Sequence, residues 1–374
     1  MSQTLSKGQE NQPKRPQLLF IAPLPYPLTG HSLAAQVFLS AAQSEYNVTV
    51  VDLKTEKFQV GPEHIWLTVS RLGRVRRHVG KSDVIYFTIS ESILGNIKDL
   101  CIYAICGSRL PRLIVHLHGG AGLRRILQNN PILGPINRFF LNRVGGIVLL
   151  GPSHISMFSK LSRTEHIHLV PNFASSDLFA CQDDIPKKFN TPGPLRLLFL
   201  SNMLSGKGFW ELLEGFSKLP EPVRRGIELD FAGAFPADDE ERRFRQAISM
   251  HPEVRFHGSV TGAAKRDLLQ RAHIFCLPTY YAYEGQPISI LEAYAAGCAV
   301  MTTMHSGIPD IFVPGQNGIA VGERSVSSVT QALLTAFCDR SSLLSYALTN
   351  NQAARTQFTV DIFNEKLLSI HRLL

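Results

Sequence analysis

Two successive series of short apolar runs, each separated from the next by a longer stretch of helical character, constrain this chain more than any other feature. In the first half the runs are Leu18–Ala22, Val48–Leu53, Val84–Thr88, Leu113–Leu117 and Gly146–Leu150. The second half repeats the rhythm at Leu195–Leu200, Ile227–Ala232, Val254–His257, Ile274–Leu277, Ala299–Thr302 and Ile319–Val321. The runs are almost continuously apolar rather than alternating, as parallel strands covered on both faces require. Candidate helices lie between them, among them His31–Ser44, Pro135–Arg143 and Phe209–Lys218. The tail Phe358–Leu374 reads as one more, with Val360, Phe363, Leu367 and Ile370 on one face. Strand, helix and strand in series imply right-handed crossovers, so the expected fold class is α/β, with two open, doubly wound sheets.

A length of 374 residues suits two such domains, and a hydrophobic fraction of 44% supplies two cores. The seam is expected near 180–193, because Cys181–Pro194 is polar and closes on Thr191-Pro192-Gly193-Pro194. This divides the chain into a flexible polar start (1–16), a first domain (17–185) and a second domain (186–357). The six cysteines show no CxxC pair and sit mostly in apolar runs, as buried free thiols of a reducing compartment do. The first apolar run is short and followed by Pro23, Pro25 and Pro27, unlike a signal peptide, and no run reaches the roughly 18 residues of a membrane span. A cytoplasmic protein is the expectation.

The net charge of +8 is concentrated: Arg71, Arg74, Arg76, Arg77, His78 and Lys81 fall within eleven residues, and Arg124, Arg125, Arg138 and Arg143 follow. Such a face is either merely solvated or attracts an anionic partner. Nucleic acid is disfavoured, since there is no zinc-finger spacing and no aromatic pattern interleaved with the charges. Of the functional readings, the Arg71–Lys81 region at an anionic membrane surface, with the protein peripheral on its cytoplasmic side, is the better one.

In open α/β sheets ligands bind beyond the carboxyl ends of the strands, so the residues there are the ones to search. Leu277 to Ala293 is the most informative stretch. A strand ends, a loop carrying Glu284, Gly285 and Gln286 follows, and a helix is expected to open with Pro287 as its first residue. Gly285 would let the backbone approach a ligand, and the free N–H groups around Ile288–Ile290 would form an anion site. Glu292 lies deeper, in an apolar helix, placed to accept hydrogen bonds from hydroxyls; otherwise it is a solvated helix carboxylate. Gly206-Lys207-Gly208, at the opening of the next candidate helix, is similar to a phosphate cradle without being a Walker loop. In the first half, Gly30 and His31 follow the first strand and His116-Leu117-His118-Gly119-Gly120 ends the fourth. Alternation puts His116 and His118 on one side of that strand, as core residues or as ligands. No Asp-x-Asp and no HExxH occurs, so a departing diphosphate would have to be neutralised by Lys207 and a helix N-terminus.

These motifs together resemble the family 4 retaining glycosyltransferases of the GT-B fold, with two Rossmann-like domains facing across a cleft. The matching features are Gly30-His31, His116-Leu117-His118-Gly119, Val170-Pro171-Asn172, Lys207-Gly208, Ala232-Gly233, Glu284-Gly285 with Glu292 after seven intervening residues, and Gly307-Ile308-Pro309-Asp310. The resemblance implies a metal-free transfer from a UDP- or GDP-sugar, without a cofactor, to a hydroxyl of a glycan or lipid-linked acceptor in bacterial-type polysaccharide or glycolipid assembly. It implies a donor site of Asn202, Gly206, Lys207, Glu284, Gly285, Gln286, Pro287, Ile288 and Glu292. Lys207 would hold the diphosphate and Glu292 the ribose, with Glu284 beside the transferred sugar. Gly30, His31, His118 and Gly119 would line the acceptor side, and His118, Glu284 and Lys207 would serve the reaction. The helix at 358–374 would cross back onto the first domain. The family often has arginine where this chain has Asn202, which removes one charge from the diphosphate grip. A sugar-nucleotide epimerase on the same fold would need acid–base carboxylates in the cleft, and none is evident in the first half. A non-catalytic nucleotide-sugar-binding protein is the other alternative.

Overall fold

The structure, a computed structural model, describes residues 15–25, 29–54 and 62–374; most of the polar start (1–14) and residues 26–28 of the loop after the first strand lie outside them. Among the described residues, strands β1 (Gln17–Ala22), β2 (Asn47–Asp52), β3 (Val84–Thr88), β4 (Leu113–Leu117), β5 (Gly146–Leu149) and β6 (Ile167–Leu169) form a parallel sheet in the order β2-β1-β3-β4-β5-β6. Strands β7 (Leu195–Leu200), β8 (Ile227–Ala232), β9 (Val254–Phe256), β10 (Ile274–Leu277), β11 (Ala299–Thr302) and β12 (Gly318–Ala320) form a second, in the order β12-β11-β10-β7-β8-β9. The second order is the Rossmann one. Each sheet reverses its strand order beside its first strand, at β1/β3 and at β7/β10, so each has a crevice there.

The continuous apolar runs now have a direct cause. Along β1, Leu19 and Ile21 join one buried cluster with Ile85, Phe87 and Val115, while Leu18 and Phe20 join another with Tyr86 and Ile114. Both faces of the sheet are covered, so both sets must be apolar. The second face is covered by the helices Gly30–Glu45 and Val360–Arg372. The latter contributes Phe363, Leu367, Leu368 and Ile370 to the first domain, whereas Phe358 still belongs to the core of the second. The domains are therefore joined by two adjacent crossings, pinned where the Ala174 amide donates to the Phe358 carbonyl at 2.8 Å.

One strand escapes the sequence reading and two readings need correction. β6 has no apolar run to announce it: His166 and His168 flank Ile167, because an edge strand is only half covered. The helix Leu133–Leu141 starts two residues before Pro135, where the Asn130 side chain accepts from the Leu133 amide at 2.8 Å. The seam is not an irregular linker. It contains the helix Asp184–Asn190, whose Ile185 and Phe189, four residues apart on one face, enter the second core. Lys188 beside them is half-buried and donates to the carbonyls of Ala272, Ala296 and Gly297. A polar average over this stretch conceals two anchors and a capping lysine.

Candidate active site

The two crevices open onto one cleft of about 680 Å3 between the domains. Gly30, His31, His118, Gly119, Asn202, Lys207, Glu284, Gly285, Gln286, Pro287, Ile288 and Glu292 all line it. Gly206 does not. Its carbonyl instead accepts from the Tyr280 amide at 2.6 Å and the Thr279 hydroxyl at 3.2 Å, so it braces the loop behind the cleft.

On the second domain's wall, Gly206 and Gly208 both have positive φ (92° and 82°), which turns the chain tightly enough to present Lys207. A side chain at Gly208 would also overlap the Pro278 carbonyl. The Lys207 Nζ lies 2.7 Å from Glu284 Oε2 and 4.8 Å from the centre of the Tyr281 ring. The same Oε2 accepts from the Thr279 hydroxyl at 2.9 Å. An ion pair this buried is a costly arrangement unless fully partnered or awaiting a polar ligand. Pro287 is the N-cap of the helix Ile288–Ala295 and not its first residue, since its ψ of 117° is extended. Ile288 and Ser289, in the first turn, reach the cleft. Glu292 is 2% exposed, and its carboxyl is pushed up by burial and pulled down by Lys265, whose Nζ is 2.6 Å away. Lys265 comes from the helix Gly262–Arg271 and is a second cation on this wall; nothing in its local sequence marks it.

On the first domain's wall the histidines form a column. The His31 ring stacks on His118 at 4.5 Å and the His118 ring lies 3.9 Å from His116, while His116 Nδ1 is 2.7 Å from the Tyr86 hydroxyl. His116 is therefore a core residue and His118 the one that meets the cleft. Burial holds all three uncharged, with His31 down to about 4, His116 to about 3 and His118 far below the ordinary range; the neighbouring histidines add to the shift of His118. Neither His118 ring nitrogen has a partner, although both are buried. A neutral imidazole there can donate and accept a hydrogen bond but carries no charge at neutral pH.

The first domain also places a carboxylate in the cleft, which corrects the reading that it has none. Glu91, in the loop after β3, lines the same cleft, and its Oε2 accepts from the Gly122 amide at 3.2 Å. A single glutamate between two serines (Ser90 and Ser92) carries no local signal of such a position.

Where the walls meet, Gly285 and Gln286, expected at the ligand, and the motif residues Asn172 and Asp310 fasten the domains together. Gly285 lines the cleft and also lets the domains approach: a Cβ there would overlap the His118 carbonyl and lie 3.1 Å from Gly119 Cα. Asn172 donates its amide to Gln286 Oε1 at 2.6 Å and its side-chain NH2 to the Gln286 carbonyl at 2.8 Å. Gln286 in turn donates to the Leu150 carbonyl at 3.3 Å. Asp310 accepts from the Ser153 amide at 3.0 Å and hydroxyl at 2.6 Å.

Residues 194–339 match the family model described as Glycosyl transferases group 1. Over 194 residues the chain is 24% identical to the putative colanic acid biosynthesis glycosyltransferase WcaL of Escherichia coli (strain K12), covering 50% of this chain and 47% of that protein. Over 198 residues it is 25% identical to the amylovoran biosynthesis glycosyltransferase AmsK of Erwinia amylovora, covering 50% and 48%. The chain thus spans about half the length of these curated relatives. The crystal structure of Anabaena Alr3699/HepE in complex with UDP and glucose superposes with a TM-score of 0.72 at 15% identity, over 96% of this chain and 100% of that one. The chain carries a Glycosyl transferases group 1 domain, set as the second half of a two-domain GT-B fold.

Proposed function

We propose that the chain is a retaining glycosyltransferase that works without a bound metal ion or cofactor. It would move a sugar from a UDP- or GDP-sugar to a hydroxyl of a glycan or lipid-linked acceptor, in polysaccharide or glycolipid assembly. One observation carries the reading: Lys207, Glu284 and Glu292 stand on a single cleft wall with the start of the helix Ile288–Ala295, opposite the unpartnered imidazole of His118. Lys207 and the amides of the first helical turn offer positive charge to a departing diphosphate, the service a divalent ion would otherwise perform. Glu292 is placed to accept from ribose hydroxyls in exchange for Lys265, and Glu284 from hydroxyls of the sugar. UDP is the nucleotide of the HepE complex, which makes UDP-sugars the first to try.

In the proposed reaction the bond from the anomeric carbon to the β-phosphate oxygen breaks, and the acceptor oxygen bonds to that carbon on the same face. The acceptor proton passes to the departing phosphate. His118, neutral at physiological pH, gives a hydrogen bond to the reacting sugar and takes no net proton. The membrane-facing part of the reading rests on the helix Pro62–Val79, which carries Arg76 and Arg77 exposed and also exposes Ile65, Trp66 and Val69.

The test is donor binding by calorimetry with UDP, UDP-glucose and GDP-mannose. Glu292→Ala should weaken the preferred nucleotide by about tenfold to a hundredfold, the worth of one or two hydrogen bonds to a charged group. Unchanged affinity would remove Glu292 from the site. Glu91 supports a second reading, a sugar-nucleotide epimerase, since it gives the first domain's wall a carboxylate. Conversion of the donor with no acceptor present would favour that enzyme over a transferase.

A further inference from the structure

Glu91 is held in the cleft by a purpose-shaped backbone. Gly119 and Gly122 each lack the room for a side chain because Glu91 occupies it: a Cβ at 119 would overlap the Glu91 carboxylate, and one at 122 the Glu91 carbonyl. The amides of Gly120 and Gly122 hold the carboxylate, which still lines the cleft. Among the described residues it is the one carboxylate that the first domain contributes to that wall. Across the cleft its charge is felt by the Tyr281 phenol, whose ring packs under Lys207. It shares the wall with His118, whose two ring nitrogens are buried and lack partners.

We propose that Glu91 is the acceptor-binding carboxylate of the cleft: it takes a hydrogen bond from a hydroxyl of a neutral sugar acceptor and holds that sugar against His118, facing the donor. The inference rests on the glycosyl-transfer reading and names its missing half. A carboxylate in this place favours a hydroxyl and disfavours a phosphate, so the group received at this point is the sugar of the acceptor. Burial lifts the Glu91 carboxyl to about 7, with the Gly122 and Gly120 amides pulling the other way, so the group accepts best on the alkaline side of neutrality. The ionisable groups around it are His31, Lys98, His118, Tyr281, Lys207 and Glu284, and of these the two histidines, lowered by burial, and the Tyr281 phenol, raised by it, stay uncharged.

The experiment uses the full chain saturated with UDP and titrated with n-hexyl glucoside, n-hexyl galactoside and n-hexyl mannoside. Glu91→Gln keeps a carbonyl oxygen for the Gly122 amide and fills the same space. The expected result is UDP affinity within about twofold of the parent chain and glycoside affinity about tenfold or more weaker, the difference between a charged and a neutral acceptor. Three results would overturn the proposal. The variant could bind the glycosides as tightly as the parent, which leaves Glu91 only a cap for the helix Ala121–Asn129. It could lose UDP and glycoside equally, with a lower melting temperature, which makes its role structural. The parent chain could bind none of the three glycosides. Failure of the parent chain to bind UDP is a different outcome and sinks the donor reading, while titration of the unliganded chain with the glycosides still tests Glu91.

Discussion

Mild acid should unfold the first domain before the second, because of the histidine column. His31, His116 and His371 are buried and neutral, held down to about 4, 3 and 4 from 6.5, chiefly by burial. Between about pH 6 and 4.5 the unfolded chain therefore carries a proton at each of these three that the folded chain refuses, and His118, lowered further still, acts in the same sense. Each of the three costs about 1.4 kcal/mol of stability per pH unit of acidification, about 4 in all. Glu91 acts in the opposite sense: raised to about 7 from 4.5, it holds a proton in the folded state that the unfolded chain lacks across the same window, returning about 1.4 kcal/mol per unit. Asp99, also raised by burial, adds to that return at the acid end. The net loss is about 2–3 kcal/mol from pH 6.5 to 5.5, a large share of a domain's typical stability of about 5–15 kcal/mol. In the second domain His273 is lowered to about 4 while Glu292 is raised by burial, so the two act in opposite senses. Urea unfolding at pH 7.5, 6.5 and 5.5, with protease fragments mapped to each domain, measures the slope and its location. His371→Leu isolates one contribution. Its Nε2 is buried without a partner and its Nδ1 bonds the Leu367 carbonyl of its own helix at 2.7 Å, so the change should cost about 1 kcal/mol at pH 7.5, while the slope falls by about 1.4 kcal/mol per unit. A flat pH profile, an unaltered slope in the variant, or first-domain fragments outlasting those of the second would refute the reasoning.

Gly285→Ala should separate binding from turnover. The new methyl collides with the His118 carbonyl and holds the walls apart, so UDP affinity should change by less than about threefold while transfer falls by about tenfold or more. X-ray scattering should show a larger radius of gyration. Replacing Arg76 and Arg77 by Ala should reduce sedimentation with anionic phosphatidylglycerol liposomes, each charge being worth about 1 kcal/mol near such a surface. Unchanged sedimentation would leave these residues a solvated face. Excess chelator should leave transfer essentially intact, and an absolute need for a divalent ion would contradict the metal-free reading.

The fold was legible because its determinants are local and redundant. Strands such as Val84–Thr88 and Ala299–Thr302 are apolar on both faces, and glycines and helical segments bound them. The second domain's cleft wall was legible for a related reason: Gly206-Lys207-Gly208 and Glu284 to Glu292 are single segments in which turn, charge and helix start are adjacent. Glu91 and Lys265 were not, because each acquires its position through a partner distant in sequence, Gly119–Gly122 for one and Glu292 for the other. His118 was visible as a strand-end residue, but its stacking on His31, 87 positions away, was not. Asn172, Gln286 and Asp310 were visible as motif members while their contribution was hidden, since nothing local distinguishes a side chain that fastens two domains from one that holds a ligand.

That last ambiguity has a structural cause, because fastening and ligand binding are performed by consecutive residues. Glu284 turns its carboxylate to Lys207, and the next residue, Gly285, meets the backbone of His118. The Glu284 carbonyl accepts from the hydroxyl of Ser306, one of two non-glycine residues with positive φ among those described (52°). A serine in that region costs on the order of 1–3 kcal/mol and persists only where its surroundings enforce it. Here the enforcement comes from both domains: the following Gly307 is wedged between the Gly285 carbonyl and the His154 ring of the first domain. The peptide that sets the donor-side carboxylate therefore has its conformation fixed partly by contact with the opposite wall. If the domains part, the constraints on Ser306, Gly307 and Gly285 are released together, and Glu284 loses its support from behind. In the proposed transferase, closure would then do more than exclude water, since it would set the carboxylate beside the transferred sugar.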